Sequence, residues 1–317
     1  MEENKNGKIF LNIKSNFIKK VIFEFLEKNK FLTIIQYNKN IQNIFNINLD
    51  NYKKEAKIEI ELDLLFNINN ENEQEEFNPI QFINQIEVKN KDYYHIYFDN
   101  DCKKEIKSKY IEFEEIFDLQ KIKIIIDYNV KSLCGLFKDC KNINKIKFVK
   151  FNRKDITDMS YMFYNCFNLK ELDISKIYTD YVQDMRAMFF KCSSLEKLNF
   201  SKFKTDNVKD MSNMFYECSS LVELNLSNFN TQNVQYMSNM FNKCSSLVNL
   251  NVSSFNTENV IYMPDMFSEC SSLKELNISN FNFSNIKLMS HMFAFCSDEL
   301  IEKIKKENTN LKNEVFE

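Results

Sequence analysis

The sequence predicts an α/β repeat protein, in which short parallel strands and short helices alternate and stack, preceded by a non-repeating α+β region. Three observations support this fold class. Seven cysteines, from Cys140 to Cys296, follow one another at intervals of 26 residues without an insertion. A phenylalanine precedes each of them by three residues, as Phe215 precedes Cys218. Within each unit the spacing of apolar residues changes from three or four to two, so each unit holds two kinds of structure.

The first half of each unit is predicted to be a short helix. In the unit VKDMSNMFYECSSLVELNLSNFNTQN, the apolar residues Val208, Met211 and Phe215 recur at the spacing of one helical face. Thr205 or Asn207 is expected to cap this helix by accepting hydrogen bonds from its first free N–H groups. The same Thr-x-Asn pattern recurs in the next two units.

The second half of each unit is predicted to be a short strand. Leu224 and Leu226 alternate with Glu223 and Asn225, which is the period of a strand with one buried face. Neither half can bury its apolar side until the next unit stacks on it. The Met, Phe and Cys rows are therefore interpreted as core. No CxxC pair or partnering histidine accompanies the cysteines, so we expect packed thiols without disulfides or bound metal.

The strings MSNMFYECSSLVELNLSNFNTQNV and MSNMFNKCSSLVNLNVSSFNTENV closely resemble BspA-like leucine-rich repeats, which occur in bacterial surface proteins and in unicellular eukaryotes. The resemblance implies a right-handed, leucine-rich-repeat-like solenoid used for recognition, with no enzyme activity and no cofactor. About seven units are expected over 131–297. The first departs from the pattern at Leu136 and Ile143, and the charged segment 298–317 is expected to be a capping helix.

In such a solenoid the outward positions of the strands form one continuous surface, where we expect a protein partner to bind. The basic first unit makes an acidic partner segment one hypothesis. The alternative is that the Asn and Ser rows of this surface only form hydrogen bonds along the sheet and keep it soluble. The predicted protein-binding residues are Lys145, Lys147, Glu171, Asp173, Lys197, Asn199, Glu223, Asn225, Asn249, Asn251, Glu275 and Asn277.

Residues 1–66 are predicted to be a helical region, followed by an acidic, Asn-rich linker at 67–80 and a β-rich cap at 81–130. Strands are expected in DYYHIYF and KIKIIIDYNV. The stretch IFEFLEKNKFLTII is similar to an F-box, which implies docking of residues 17–45 onto a ubiquitin-ligase adaptor while the repeats hold the substrate. The residues expected to face that adaptor are Ile22, Phe23, Phe25, Leu26 and Leu32.

Composition argues against several other functions. A net charge of −3 and a pI near 5.7 give no overall positive field for nucleic acid. No secretory signal or membrane-spanning run is evident, which favours a soluble cytoplasmic scaffold. Two glycines and two isolated histidines offer neither a phosphate loop nor a catalytic base, so neither catalytic nor metal-binding residues are predicted. A cell-surface adhesin remains an alternative, in which Asn-x-Ser glycosylation sites such as Asn225 would crowd the binding surface.

Overall fold

The structure is a computed structural model that describes residues 39, 43, 53, 56–65, 79–84, 92–99, 104–111, 119 and 121–317. The five F-box-like residues and most of the acidic linker lie outside the described residues. The strands are β1 (Ile58–Leu64), β2 (Ile80–Gln81), β3 (Tyr94–Phe98), β4 (Tyr110–Ile111), β5 (Ile122–Ile126), β6 (Ile143–Phe151), β7 (Glu171–Asp173), β8 (Glu223–Asn225) and β9 (Asn249–Asn251). The boundaries of the five predicted regions stay predictions.

A five-stranded sheet, in the order β3-β5-β1-β6-β7, joins the non-repeating region to the first units. The predicted strands at β3 and β5 are confirmed. The prediction that 1–66 is helical is wrong at β1, where Ile58, Ile60 and Leu62 are buried and alternate with the half-buried Glu59 and Glu61. This alternation has the period of a strand, and it outweighs the good helix propensity of Glu and Leu.

Strand β1 positions the first repeat unit. It lies between β5 and β6 and is antiparallel to both, while β6 pairs in parallel with β7. The longer β6 therefore belongs to the non-repeating sheet and to the first unit at once. One hydrophobic core extends from Ile58 in β1 to Val315 near the C-terminus, so the two regions pack as a continuous structure.

The predicted helical half of the units is wrong, because residues 212–217 and their equivalents form successive turns. Asn213 and Glu217 have φ angles of 58° and 57°, which a right-handed helix does not allow. The same two positions are left-handed in the other units, with Gly135 at the first of them. The N–H groups of Asn213 and Phe215 donate to carbonyls of the next unit at 2.8 and 2.9 Å, whereas a helix would use such donors internally.

The Thr-x-Asn pattern joins neighbouring units and does not cap a helix. Thr205 is buried, and its hydroxyl donates to the carbonyl of Asn230 in the next unit at 2.9 Å. The side-chain amide of Asn207 donates to the carbonyl of Asp180 in the preceding unit at 2.7 Å. Equivalent bonds recur along the repeats. The cap prediction is therefore wrong, because these side chains satisfy backbone groups of other units.

The Phe and Cys rows form the interior of the repeats, as the periodicity predicts. Neighbouring rings of the Phe137 to Phe293 row stack with centroids 5.4–5.8 Å apart. The thiol of Cys218 donates to the carbonyl of Phe189 at 3.1 Å, and five other units repeat this bond. Every described cysteine is a free thiol. Burial raises the pKa of Cys244 to about 12, which keeps its thiol protonated and able to donate.

The C-terminal segment covers the open end of the last unit. A helix at Asp298–Glu307 begins at Ser297, whose hydroxyl accepts the N–H of Leu300 at 3.3 Å. Beyond it, a short 3-10 helix at Asn313–Val315 supplies a carbonyl that accepts the N–H of Phe293 at 2.8 Å, and Phe316 stacks on Phe293 at 5.8 Å. This tail thus takes the place that a further unit would occupy. Among the residues with a described position, no helix combines the length and apolarity needed to cross a bilayer.

Candidate protein-binding surface

The outward positions of the strands form a surface that we call the strand face. Parallel pairing of β6 with β7 and of β8 with β9 brings eight of the twelve predicted residues together as neighbours. The other four, Lys197, Asn199, Glu275 and Asn277, are exposed at the equivalent positions of two units that form no regular strand. All twelve predicted residues are exposed or half-buried, and the inward leucines are buried or nearly so.

The Asn row of the strand face has a local structural role. The Oδ1 atom of Asn225 accepts the N–H of Ser227 at 3.0 Å, and Asn199, Asn251 and Asn277 make the same bond. Asp173 takes this position in the second unit, where its bonds with Ser175 help to lower its pKa. These bonds lie within single units and turn the chain at the end of each strand. The idea that this row forms hydrogen bonds from unit to unit along the sheet is therefore wrong for these acceptors.

Ion pairs occupy the N-terminal end of the strand face. The ammonium of Lys145 lies 2.5 Å from Glu171, and this hydrogen bond raises the pKa of Lys145. Strand β1 places Asp63 opposite Lys145 and Glu61 opposite Lys147. Two of the basic residues that the sequence assigns to the first unit, Lys145 and Lys147, therefore lie next to strands that carry carboxylates.

The C-terminal end of the strand face is paired in the same way. Two lysine–glutamate pairs join it to the C-terminal helix: Glu275 lies 3.2 Å from Lys303, and Lys274 lies 3.7 Å from Glu299. The helix therefore borders the strand face on this side. Because these side chains are exposed, each pair contributes little to stability. The pairs do determine which charged residues of the strand face are left without an oppositely charged neighbour.

The middle of the strand face keeps charges without an ion pair. Within the described part of the chain, Glu196, Lys197 and Glu223 have no oppositely charged group within 4.0 Å. Beside them, Val222 and Val248 are 49% and 42% exposed in adjacent units. We call this set the central groove. Four members of this set, Glu196, Lys197, Val222 and Glu223, line a depression of about 520 Å³ together with Ser220 and Ser246.

Sequence reasoning missed the two valines of the central groove. They occupy the position just before the predicted outer row, where the other units carry Asn144, Lys170, Glu196 and Lys274. An apolar residue replacing a charged one at the position just before the strand was the available signal. It is detectable only once the register shows which positions face outward.

The described residues form no candidate metal site. No group of three or more His, Cys, Asp or Glu among them could hold a metal ion. His95 is not isolated, since its ring nitrogens lie 2.8 Å from Glu105 and 3.3 Å from Asp127. These contacts, with Lys57 at 2.9 Å from Asp127, tie β3 to the end of β5. His291 lies 3.9 Å from Asp265 and has no nucleophile among its described contacts.

The repeat region matches one protein family. The family described as "Mycoplasma protein of unknown function, DUF285" matches residues 131–225 and 217–316. These two overlapping matches cover more than half of the chain, and the chain belongs to this family. The two matches together follow the repeat from its first unit into the C-terminal segment.

One solved structure is similar to part of the chain. It is a leucine-rich repeat protein from Bacteroides ovatus, with 18% sequence identity and a TM-score of 0.37. The similarity covers 54% of this chain and 46% of that protein, so it spans about half of the length of each. Among curated proteins, none matches this sequence.

Proposed function

We propose that the repeats form a right-handed, leucine-rich-repeat-like solenoid that acts as a non-enzymatic scaffold and binds a protein partner through the strand face. The central groove carries this proposal. Lys145 pairs with Glu171 at one end of the strand face and Glu275 pairs with Lys303 at the other, whereas Glu196, Lys197 and Glu223 have no such pair, and two valines beside them stay exposed. An apolar contact with unpaired charges around it is typical of an interface core and its rim.

Parallel stacking of the units supports the solenoid. Backbone bridges join each unit to the next in the same direction, from Ser132 to Leu288. A stable interface buries roughly 800 Å² on each partner. The few residues of the central groove cannot bury that much surface area, so the partner has to cover the neighbouring outward positions of several units as well. Val222 and Val248 would then be the anchors, and the surrounding polar residues would set the register of the partner.

Proximity labelling in intact cells tests this function. The bait is the full chain, compared with a double variant, Val222→Ser with Val248→Ser, and with Phe295→Ser. Phe295 is 76% exposed and lies outside the strand face, so it controls for the loss of exposed apolar surface as such. We expect the double variant to lose partners that Phe295→Ser retains. An identical partner list for all three baits would contradict binding through the central groove.

Two expectations rest on the sequence alone. A role as a ubiquitin-ligase adaptor depends on residues 17–45, and a cytoplasmic location depends on the composition of the chain. Both stay predictions. Co-purification of a ligase adaptor with the full chain would support the first, and labelling of the chain by a membrane-impermeant reagent on intact cells would contradict the second.

A further inference from the structure

A second line of contacts between units lies away from the strand face, and we call it the bridge ladder. Single parallel bridges connect one residue of each unit to its equivalent in the next. The residues of the bridge ladder are Ser132, Asp158, Asp184, Asp210, Tyr236, Tyr262 and Leu288. Its chemistry changes along the repeats, from three consecutive carboxylates to three consecutive apolar side chains.

The three carboxylates have a structural role and an excess of charge. Each accepts, through Oδ1, the N–H of the residue two positions later, at 2.8–2.9 Å. One cation lies between them, because Arg186 is 3.3 Å from Asp184 and 3.9 Å from Asp210. Burial raises the pKa of Asp184, and the charges of Asp210 and Asp158 add to the effect. Three carboxylates with one guanidinium leave this half of the bridge ladder negative.

The apolar half has no corresponding structural role. Tyr236, Tyr262 and Leu288 cannot supply the carboxylate acceptor that the three earlier units use. The two tyrosine rings stack in parallel with centroids 5.9 Å apart, yet Tyr236 is 36% exposed and Leu288 is 46% exposed. Gln235 and Ile261, the residues just before the tyrosines, line a depression of about 450 Å³ whose other lining residues, Asn233, Glu258, Asn259 and Asn285, are polar. This half is therefore an exposed apolar strip beside a depression with a mostly polar lining.

We propose that the bridge ladder is a second docking surface, which takes an extended segment of another protein in which a block of basic residues adjoins a block of apolar residues. The carboxylate half attracts the basic block, and the tyrosines and Leu288 give the apolar block a surface to cover. Bridged units lie about 4.8 Å apart, so the six positions from Asp158 to Leu288 span about 24 Å. That span corresponds to about seven residues of extended chain.

Two synthetic peptides of equal composition test the order of the blocks. In one, three basic residues are followed by three aliphatic residues, and in the other the basic and aliphatic residues alternate. Each is labelled with a fluorophore and titrated against the full chain by fluorescence anisotropy. We expect the block peptide to bind at least tenfold more tightly than the alternating one. Equal binding of the two peptides, or no binding of the block peptide, would overturn the proposal.

The repeat itself supplies variants that keep the fold. Tyr236→Asp and Leu288→Asp place at these positions the residue that earlier units carry there, so its carboxylate can accept the N–H of Ser238 or Ser290. Asp184→Asn and Asp210→Asn remove charge but keep the Oδ1 acceptor. We expect each pair of changes to weaken the block peptide at least tenfold, with the melting temperature close to that of the unaltered chain.

The double variant Val222→Ser with Val248→Ser is the matched control for the bridge ladder. Its changes lie on the strand face, so we expect it to bind the block peptide like the unaltered chain. Unchanged binding by both bridge-ladder pairs would show that the peptide contacts some other surface and would refute the proposal. Because the strand face is tested with other variants and another readout, either proposal can fail without the other.

Discussion

Replacing Ala187 with glycine tests the left-handed turn positions of the repeat. Ala187 has a φ of 52°, a conformation that costs a residue with a Cβ atom about 1–2 kcal/mol. Glycine relieves this strain, but it loses about 0.5–1 kcal/mol through the greater entropy of its unfolded chain. The buried methyl group is worth a further ~0.8 kcal/mol. The effects nearly cancel, so we expect the free energy of unfolding to change by less than about 1 kcal/mol.

Ala294 is the matched control for this substitution. It is also buried, and it is not one of the residues with a positive φ. Ala294→Gly therefore loses the methyl group and the entropy without any relief of strain, and we expect it to destabilise the protein by about 1.5 kcal/mol. Urea unfolding followed by circular dichroism, with midpoints compared at equal slope, measures both variants. Equal destabilisation by the two substitutions would refute the conformational reasoning.

Three further predictions concern the C-terminal tail, the carboxylate of Asp155 and the cysteine thiols. Phe316→Ala should lower stability by about 1–2 kcal/mol and expose the Phe293 amide to hydrogen exchange, because the tail then covers the last unit less well. Burial alone would raise the pKa of Asp155, but its hydrogen bond with Arg153 helps to lower that pKa below its usual value. The ionised Asp155 therefore stabilises the fold above pH ~4, and this stability should be lost as the pH falls below that value. The loss should be smaller in Asp155→Asn. At pH 8, mass spectrometry should find iodoacetamide on the half-buried Cys134 before any fully buried cysteine.

Much of the repeat is predictable from its sequence, because periodicity reports burial. The rows of Met, Phe, Cys and Leu are buried as their spacing predicts. The conformation of the first half is not predictable from that spacing, since turns and a helix both return a side chain to the core after three or four residues. What separates them is a left-handed φ at residues such as Lys191 and Glu217, which have no special preference for it. Hydrogen bonds between units stabilise that conformation, and these bonds cannot be inferred from the sequence of one unit alone.

The strand face was predictable in outline and not in detail. Strand alternation places the twelve predicted residues outward, and the structure agrees. The importance of individual charges depends on partners that are distant in sequence, such as Lys303 for Glu275 and strand β1 for Lys145. The bridge ladder has no strand-like sequence pattern at all, because each unit contributes a single bridged residue.

The tail that stacks Phe316 on Phe293 covers the exposed face of the last unit. Each internal unit offers its turn N–H groups and one ring face to its successor, so a bare last unit would present a template that any copy of the repeat fits. The carbonyl groups and the ring of the tail occupy that template, so a further copy of the repeat cannot bind there. Stacked units that differ so little from one another would otherwise be prone to join end to end into fibres, and about twenty residues of non-repeating sequence prevent this at one end.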